Sequence, residues 1–475
     1  MAWSDPPKER TGRGPVFLLL GGGAFVLLLT LQYLFSSDST AHHTSSSTNR
    51  LSSFLHVPAS WSSCGIDADL VKEYGTYNIK LSRVHEGTGY RVQRFLRKLE
   101  NGEKVKIAVI GGSVSTGHGT AEDGTLHSYG AIKKTWHHHV SSWINATYGG
   151  QEYLNGAMPA TDSSFFRFCW SDRVKLEEAA PDLVMIEMDI NDFFSEEDRN
   201  WSEELLRSIL LLPNKPAVIN AGTFSLTNGY LSLLNAGDNR AMLSNFYDVP
   251  QISMRNPLLN AVWRNNSLAA PFFNGDPAHA AAPLHKYLGD MVVAYLQEQR
   301  CQTVWDQKVV EPENAFWPDS KLVGEVPERL VTEGWQSQIT HPTAAPSCRL
   351  AGFTLKAAAQ DDTWQPYSWM ETKHYLITAV SGAKIEFDVT VPEGGMGFVG
   401  IGFLRSLGYN LGRLRCTVGG QEAVLDGHWA RTVSLTKVEP VARNLAPGPY
   451  RLVCTSEAGD DPAWTAFRIG SVVGA

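Results

Sequence analysis

A serine acts as a nucleophile when a base takes its proton, an acid orients that base, and donors meet the negative charge that develops. This chain offers residues of each kind at the ends of successive apolar runs. Residues 107–113 read IAVIGGS, a short apolar run closed by two glycines, and a sharp turn there exposes the Ser113 hydroxyl. Asp276-Pro277-Ala278-His279 puts a carboxylate three residues before a histidine, so on a short loop both side chains can face one mouth. Asn155-Gly156 follows the apolar pair Tyr153-Leu154, and glycine allows its backbone N–H a close approach. Asn191-Asp192 ends the run LVMIEMDI, where the Asn191 amide is a second donor at the same edge. Singly, each has a plainer reading: Ser113 or Asn191 as a helix cap, Gly156 as a turn, His279 as a surface histidine. Their order, at three strand ends and before the last helix, favours the chemistry.

The glycine turn does not suit a nucleotide. Gly112 and Gly117 have the spacing of a P-loop, but His118 and Gly119 stand where its lysine and hydroxyl belong. The glycines are not spaced as a dinucleotide fingerprint either. Ser115 is a rival nucleophile two residues on. His118 and His127 read as turn or surface residues. His137, His138 and His139 are adjacent on a helix and point in different directions, so they form no metal face. His42 and His43 read as solvated. Asp192 supports the loop or contacts substrate. The aromatics of residues 363–375 suit either a sugar platform or ordinary packing.

These residues need a scaffold. Val92, Phe95, Leu96 and Leu99 recur at helical spacing over 89–103. Apolar runs at 107–112, 181–192 and 215–223 read as buried parallel strands, with helical stretches at 128–144 and 202–212 and a closing helix at 286–299. Such alternation predicts an α/β doubly wound sheet with its site at the strand carboxyl ends. From residue 350 the runs KIEFDVTV, RTVSLTKV, PYRLVC and AFRIGSVV alternate in period two between turn residues, which predicts an antiparallel β-sandwich. Prolines 312, 318, 327, 342 and 346 make 305–347 an irregular linker.

Residues 16–35 are uncharged and apolar, and about 20 residues span the roughly 30 Å hydrocarbon core of a bilayer. Lys8, Arg10 and Arg13 precede them, and Arg50 is the next basic residue. The positive-inside rule then gives a cytosolic tail at 1–15, a signal anchor at 16–35 and a Ser/Thr-rich stem at 36–50. The expectation is a type II single-pass protein of the Golgi or cell surface, or a secreted one if the segment is cleaved. Six scattered cysteines without a C-x-x-C pair fit disulfides better than zinc. Cys416 and Cys454 lie in similar runs, RLRCTV and RLVCTS, and are the expected pair. Sequons stand at Asn145, Asn200 and Asn265.

The four chemical segments resemble the four blocks of the SGNH hydrolase superfamily, the GDSL-type esterases and lipases. IAVIGGS matches the nucleophile block, LNGAMPATDSS the glycine block, MDIND the asparagine block, and DPAHAAAPLHKYLGDMVVAYL the last block. The resemblance covers about residues 105–300. It implies Ser113, His279 and Asp276 as the triad, and an oxyanion hole of the Ser113 and Gly156 N–H groups with the Asn191 side chain. It also implies a three-layer α/β/α flavodoxin-like fold and acyl chemistry with no metal or organic cofactor. His285 matches a second histidine frequent after the catalytic one. Two departures stand out. The middle aspartate of Gly-Asp-Ser is Gly112 here, and the glycine two before the block asparagine is Asp189. A carboxylate so near an oxyanion must be paired or turned away.

The balance of 41 basic and 49 acidic residues leaves a net charge of −8, with no basic patch or tail for a nucleic-acid partner. Three functions remain. One is a hydrolase of acylated glycans or other secretory-pathway esters. The second is a glycan O-acyltransferase, such as an O-acetyltransferase, using the same triad. The third is a non-catalytic membrane protein whose sandwich binds carbohydrate. The organisation expected is a hydrolase-like domain at 51–304, the linker at 305–347 and the sandwich at 348–475.

Overall fold

The structure, a computed structural model, describes residues 65–122, 132–227, 234–302, 313–316, 318, 320–330, 347–369 and 373–475. The tail, apolar span, stem and His127 lie outside these residues. None of the described helices is long and apolar enough to cross a membrane.

The first half alternates helices and strands: α1 (Ala68–Tyr74), α2 (Thr76–Leu81), β1 (Arg83–His85), α3 (Tyr90–Glu100), β2 (Val105–Gly111), α4 (Trp136–Thr147), β3 (Gln151–Asn155), α5 (Ser163–Arg173), β4 (Leu183–Glu187), α6 (Glu196–Leu210), β5 (Ala217–Gly222), α7 (Ala236–Phe246), β6 (Gln251–Ser253), α8 (Arg255–Arg264), α9 (Ala269–Phe273) and α10 (Ala282–Gln302). The sheet order is β1-β6-β5-β4-β2-β3, parallel from β6 to β3, with β1 antiparallel at the edge. Counting from β2, that is the flavodoxin-like order 2-1-3-4-5.

Period two explains the layering. Ile107 and Val109 of β2 pack with Phe95, Leu96, Val140 and Leu288 on one face. Ala108 and Ile110 pack with Phe165, Phe166, Leu205 and Leu243 on the other. Both faces are apolar because both are covered by helices. Two helix starts differ from the sequence reading. Helix α4 begins only at Trp136, because Ile132–Lys134 forms a 3₁₀ turn and Thr135 is extended. Helix α6 begins earlier, at Glu196, because the Ser195 hydroxyl accepts the Asp198 N–H and caps it.

The second half is two antiparallel sheets. Their strands are β7 (Ser347–Leu350), β8 (Ala359–Gln360), β9 (Gln365–Trp369), β10 (Lys373–Thr378), β11 (Lys384–Val391), β12 (Val399–Arg405), β13 (Arg413–Val418), β14 (Gln421–Asp426), β15 (Leu435–Ala442), β16 (Gly448–Glu457) and β17 (Phe467–Gly474). One sheet runs β15-β12-β17-β10-β9, with β7 also on β17, and the other runs β14-β13-β16-β11-β8. Ile385, Phe387, Leu452, Ile401, Phe403 and Ile469 fill the space between them. Cys416 and Cys454 are directly opposed on β13 and β16 and form a disulfide.

The sheets dock on the α5 side of the α/β half. The Phe168 ring stacks on that of Phe398 with centroids 4.6 Å apart. A second disulfide, Cys169–Cys348, ties α5 to β7. Residues 320–330, inside the stretch read as linker, lie against the α/β half: Arg91 Nη2 donates to the Gly324 carbonyl at 2.7 Å.

Candidate active site

Chain reversals at the carboxyl edge of the parallel sheet create the site. Strands β2 and β4 are neighbours but lead to opposite sides, and the crevice between their ends is where such sheets bind ligands. Ser113 follows β2, and Asn191 follows β4. The loop after α9 carries Asp276 and His279.

His279 Nε2 lies 2.8 Å from Ser113 Oγ, and His279 Nδ1 lies 2.8 Å from Asp276 Oδ2. Asp276 Oδ1 accepts the Ala278 N–H at 3.0 Å, so the loop's own backbone fixes the carboxylate. All three side chains are buried. They open on a cleft of about 580 Å³, which Asn191, Ala160 and His118 also line. Trp369, Tyr409 and residues 432–435 form its other wall, so the sandwich half contributes directly to the cleft.

Ser115 is not placed for attack. It is fully buried, donates to Glu187 Oε2 at 3.0 Å and accepts from Trp136 Nε1 at 3.2 Å. Its carbonyl accepts the Asn155 amide at 3.0 Å and lies 2.7 Å from His137 Nε2, which anchors the turn beneath Ser113. Glu187 also accepts the Thr223 hydroxyl at 2.9 Å; burial, with the Asp189 charge adding, pushes its carboxyl up to about 7.

Several expectations need correction. Gly156 does not face the cleft: its N–H donates to the Val109 carbonyl at 2.9 Å as part of the sheet. The glycine is there for space, because a Cβ would lie 2.9 Å from the Arg173 carbonyl and 3.1 Å from that of Val109. Four residues on, Ala160 does line the cleft, with a left-handed φ of 50°. Among the described residues, nothing accepts the N–H of Ser113, the N–H of Ala160 or the Asn191 amide hydrogens. His118 is no surface histidine. It is buried in the cleft wall, its ring 5.1 Å from that of His279 and 6.1 Å from that of Trp369. His285 is buried too, and its Nδ1 accepts the Trp136 N–H at 3.1 Å, which anchors the start of α4. That burial, with the charge of His279 adding, pushes its imidazole down to about 3.

Both departures from the GDSL pattern have a physical reason. A Cβ on residue 112 would sit 2.1 Å from Asn191 Oδ1, so glycine there lets the Asn191 amide lie over the end of β2. Asp189 is paired: Arg240 Nη2 is 3.0 Å from Asp189 Oδ1, and Arg240 Nη1 is 3.0 Å from Asp192 Oδ2. Asp192 in turn accepts the Ser163 N–H at 2.8 Å, joining the Asn191 turn to the start of α5. Asp162, Asp192 and Asp198 bring carboxylate oxygens within 4.8 Å of one another. The protein's own cations hold two of them: Lys437 of β15 lies 2.7 Å from Asp162, and Arg240 holds Asp192. Of the sequons, Asn145 and Asn265 are exposed and Asn200 is half-buried.

The α/β half has the doubly wound, flavodoxin-like fold that the SGNH resemblance implies, and a sheet-rich second half follows it. Among solved structures, the chain is similar to a two-domain esterase active on acetylated mannans, determined with mannopentaose: 16% identity over 83% of this chain and 97% of that one, TM-score 0.61. A second structure of such an esterase matches at 18% identity over 83% and 98%, TM-score 0.61. An acetylxylan esterase from Geobacillus stearothermophilus matches at 20% identity over 40% of this chain and 94% of that one, TM-score 0.31. No protein-family model and no curated protein matches the chain.

Proposed function

We propose that the chain is a serine-dependent ester hydrolase acting on acetylated glycans. One observation carries the reading: the 2.8 Å contacts from Asp276 to His279 and from His279 to Ser113, at the floor of an open cleft. His279 takes the Ser113 proton as the Ser113 oxygen attacks the ester carbonyl, and Asp276 holds the imidazole tautomer and its developing charge. The tetrahedral oxyanion meets the N–H groups of Ser113 and Ala160 and the Asn191 amide. His279 then protonates the leaving sugar oxygen, which departs as a hydroxyl, and the acyl group stays on Ser113. Water, deprotonated by His279, releases the acid and restores the serine.

The glycan substrate is supported by the cleft wall and by the likeness in fold. Trp369 and Tyr409 offer aromatic faces, and Thr227, Thr432 and Ser434 offer hydroxyls. The two-domain esterase of the same architecture is active on acetylated mannans. The setting we propose is the lumen of the secretory pathway or the cell surface, behind an anchor at 16–35. The disulfides Cys169–Cys348 and Cys416–Cys454 support an oxidising compartment.

The test is incubation of the full chain with p-nitrophenyl acetate and with acetylated manno- and xylo-oligosaccharides, with and without free sugar acceptors. Free acetate without an acceptor is expected. Acetate appearing only on the acceptor would make the chain a transferase, and neither product would make it a binding protein.

A further inference from the structure

Ala160 combines a conformation that suits glycine with a free N–H at the cleft. A residue with a Cβ holds the left-handed region only when its surroundings impose it. What imposes it here comes from the second half of the chain. The Ala160 carbonyl accepts the Thr436 N–H at 2.7 Å and the Lys373 ammonium at 3.2 Å. Thr436 lies at the start of β15, and a parallel bridge to Thr161 extends that strand onto the loop. Its side-chain oxygen is in turn 2.9 Å from the Tyr375 hydroxyl. Lys373, at the start of β10, is 4% exposed, and its ammonium lies 5.5 Å from the centre of the Tyr375 ring. Burying an ammonium is costly, and burial pushes this one down to about 7.

We propose that Lys373 and Thr436 are positioning residues for the oxyanion hole, which bind the Ala160 carbonyl and thereby hold the Ala160 N–H toward the reacting carbonyl. The sheet-rich half is then part of the catalytic apparatus, beyond any hold it has on the glycan. This inference rests on the esterase reading above.

Glycine adopts the left-handed conformation unaided, which gives a specific test. Lys373→Met is made in the wild-type chain and in an Ala160→Gly chain, and kcat and KM are measured with p-nitrophenyl acetate. In the wild-type background kcat falls about tenfold with KM within about twofold, the signature of an interaction made in the transition state. In the Ala160→Gly background, read against that variant's own activity, the loss shrinks to less than about threefold. Tyr375→Phe, which releases only the Thr436 side chain, serves if Lys373→Met does not fold. Its expected loss is about threefold and likewise vanishes in the Ala160→Gly background. Equal losses in both backgrounds, or no loss in either, overturn the proposal while leaving the esterase reading intact. A wild-type chain that releases no acid overturns both.

Discussion

Arg240 grips Asp189 with two nitrogens, Nε at 3.1 Å and Nη2 at 3.0 Å from the same carboxylate oxygen. Its remaining nitrogen reaches Asp192, so one buried guanidinium bridges the two carboxylates that flank Asn191. Burial pushes the Asp189 carboxyl up to about 6, and the Arg240 charge opposes that rise. Replacing Arg240 with Met leaves both carboxylates buried and uncompensated. The expected loss of stability is about 3–5 kcal/mol by denaturant unfolding. A loss below about 1 kcal/mol would contradict the pairing.

Asp276→Asn keeps the shape of the loop but reverses the hydrogen-bond preference at His279 Nδ1. The imidazole is then held in the wrong tautomer to accept the Ser113 proton. The expected result is a fall in kcat on the order of 10³–10⁴ with the melting temperature little changed. A loss of less than about tenfold would remove Asp276 from the mechanism.

Gly112→Ala tests the close approach of Asn191. The new Cβ meets the Asn191 amide at 2.1 Å, which forces that donor off the oxyanion. Loss of one such donor costs about 10²–10³ in kcat, with KM nearly unchanged. Unaltered kcat would show that Asn191 gives way without consequence and is not a donor.

Glu187 makes the stability pH-dependent. Its carboxyl ionises near 7 in the folded chain and near 4.5 when unfolded, chiefly because it is buried. The folded state therefore binds the proton more tightly. The contribution is intact below the unfolded value and is lost as pH rises through 7. Glu187→Gln cannot ionise and retains partners for Ser115 and Thr223. Its stability should match that of the wild type near pH 4.5 and exceed it by about 3 kcal/mol at pH 8. A difference that does not change with pH would rule this out.

The parallel strands and the sandwich are legible in sequence because their apolar periods differ, continuous in residues 107–110 and alternate in 384–391. Ser113, Asp276, His279 and Asn191 are legible because each ends an apolar run or sits in a tight loop. Ala160 is not. Its place depends on a backbone dihedral, and an alanine gives no sign of a left-handed turn, whereas Gly156 four residues earlier invites the assignment. The partners that hold the site from the second half are equally silent: Lys437 lies 275 positions from Asp162, and Lys373 213 from Ala160. No local pattern carries such distances. The same applies to Cys169 and Cys348, 179 residues apart, whereas Cys416 and Cys454 lie in matching strand runs. His118 reads as a turn residue because nothing in the sequence marks the opposite wall, Trp369, that encloses it.

The central claim is that Ser113 is a nucleophile activated by His279. Its most direct measurement is labelling of the full chain with a fluorophosphonate, followed by mass mapping of the adduct. The adduct is expected on Ser113 alone, and Ser113→Ala should lose both labelling and ester turnover. An adduct on Ser115, or a Ser113→Ala chain that labels at the wild-type level, would contradict the account.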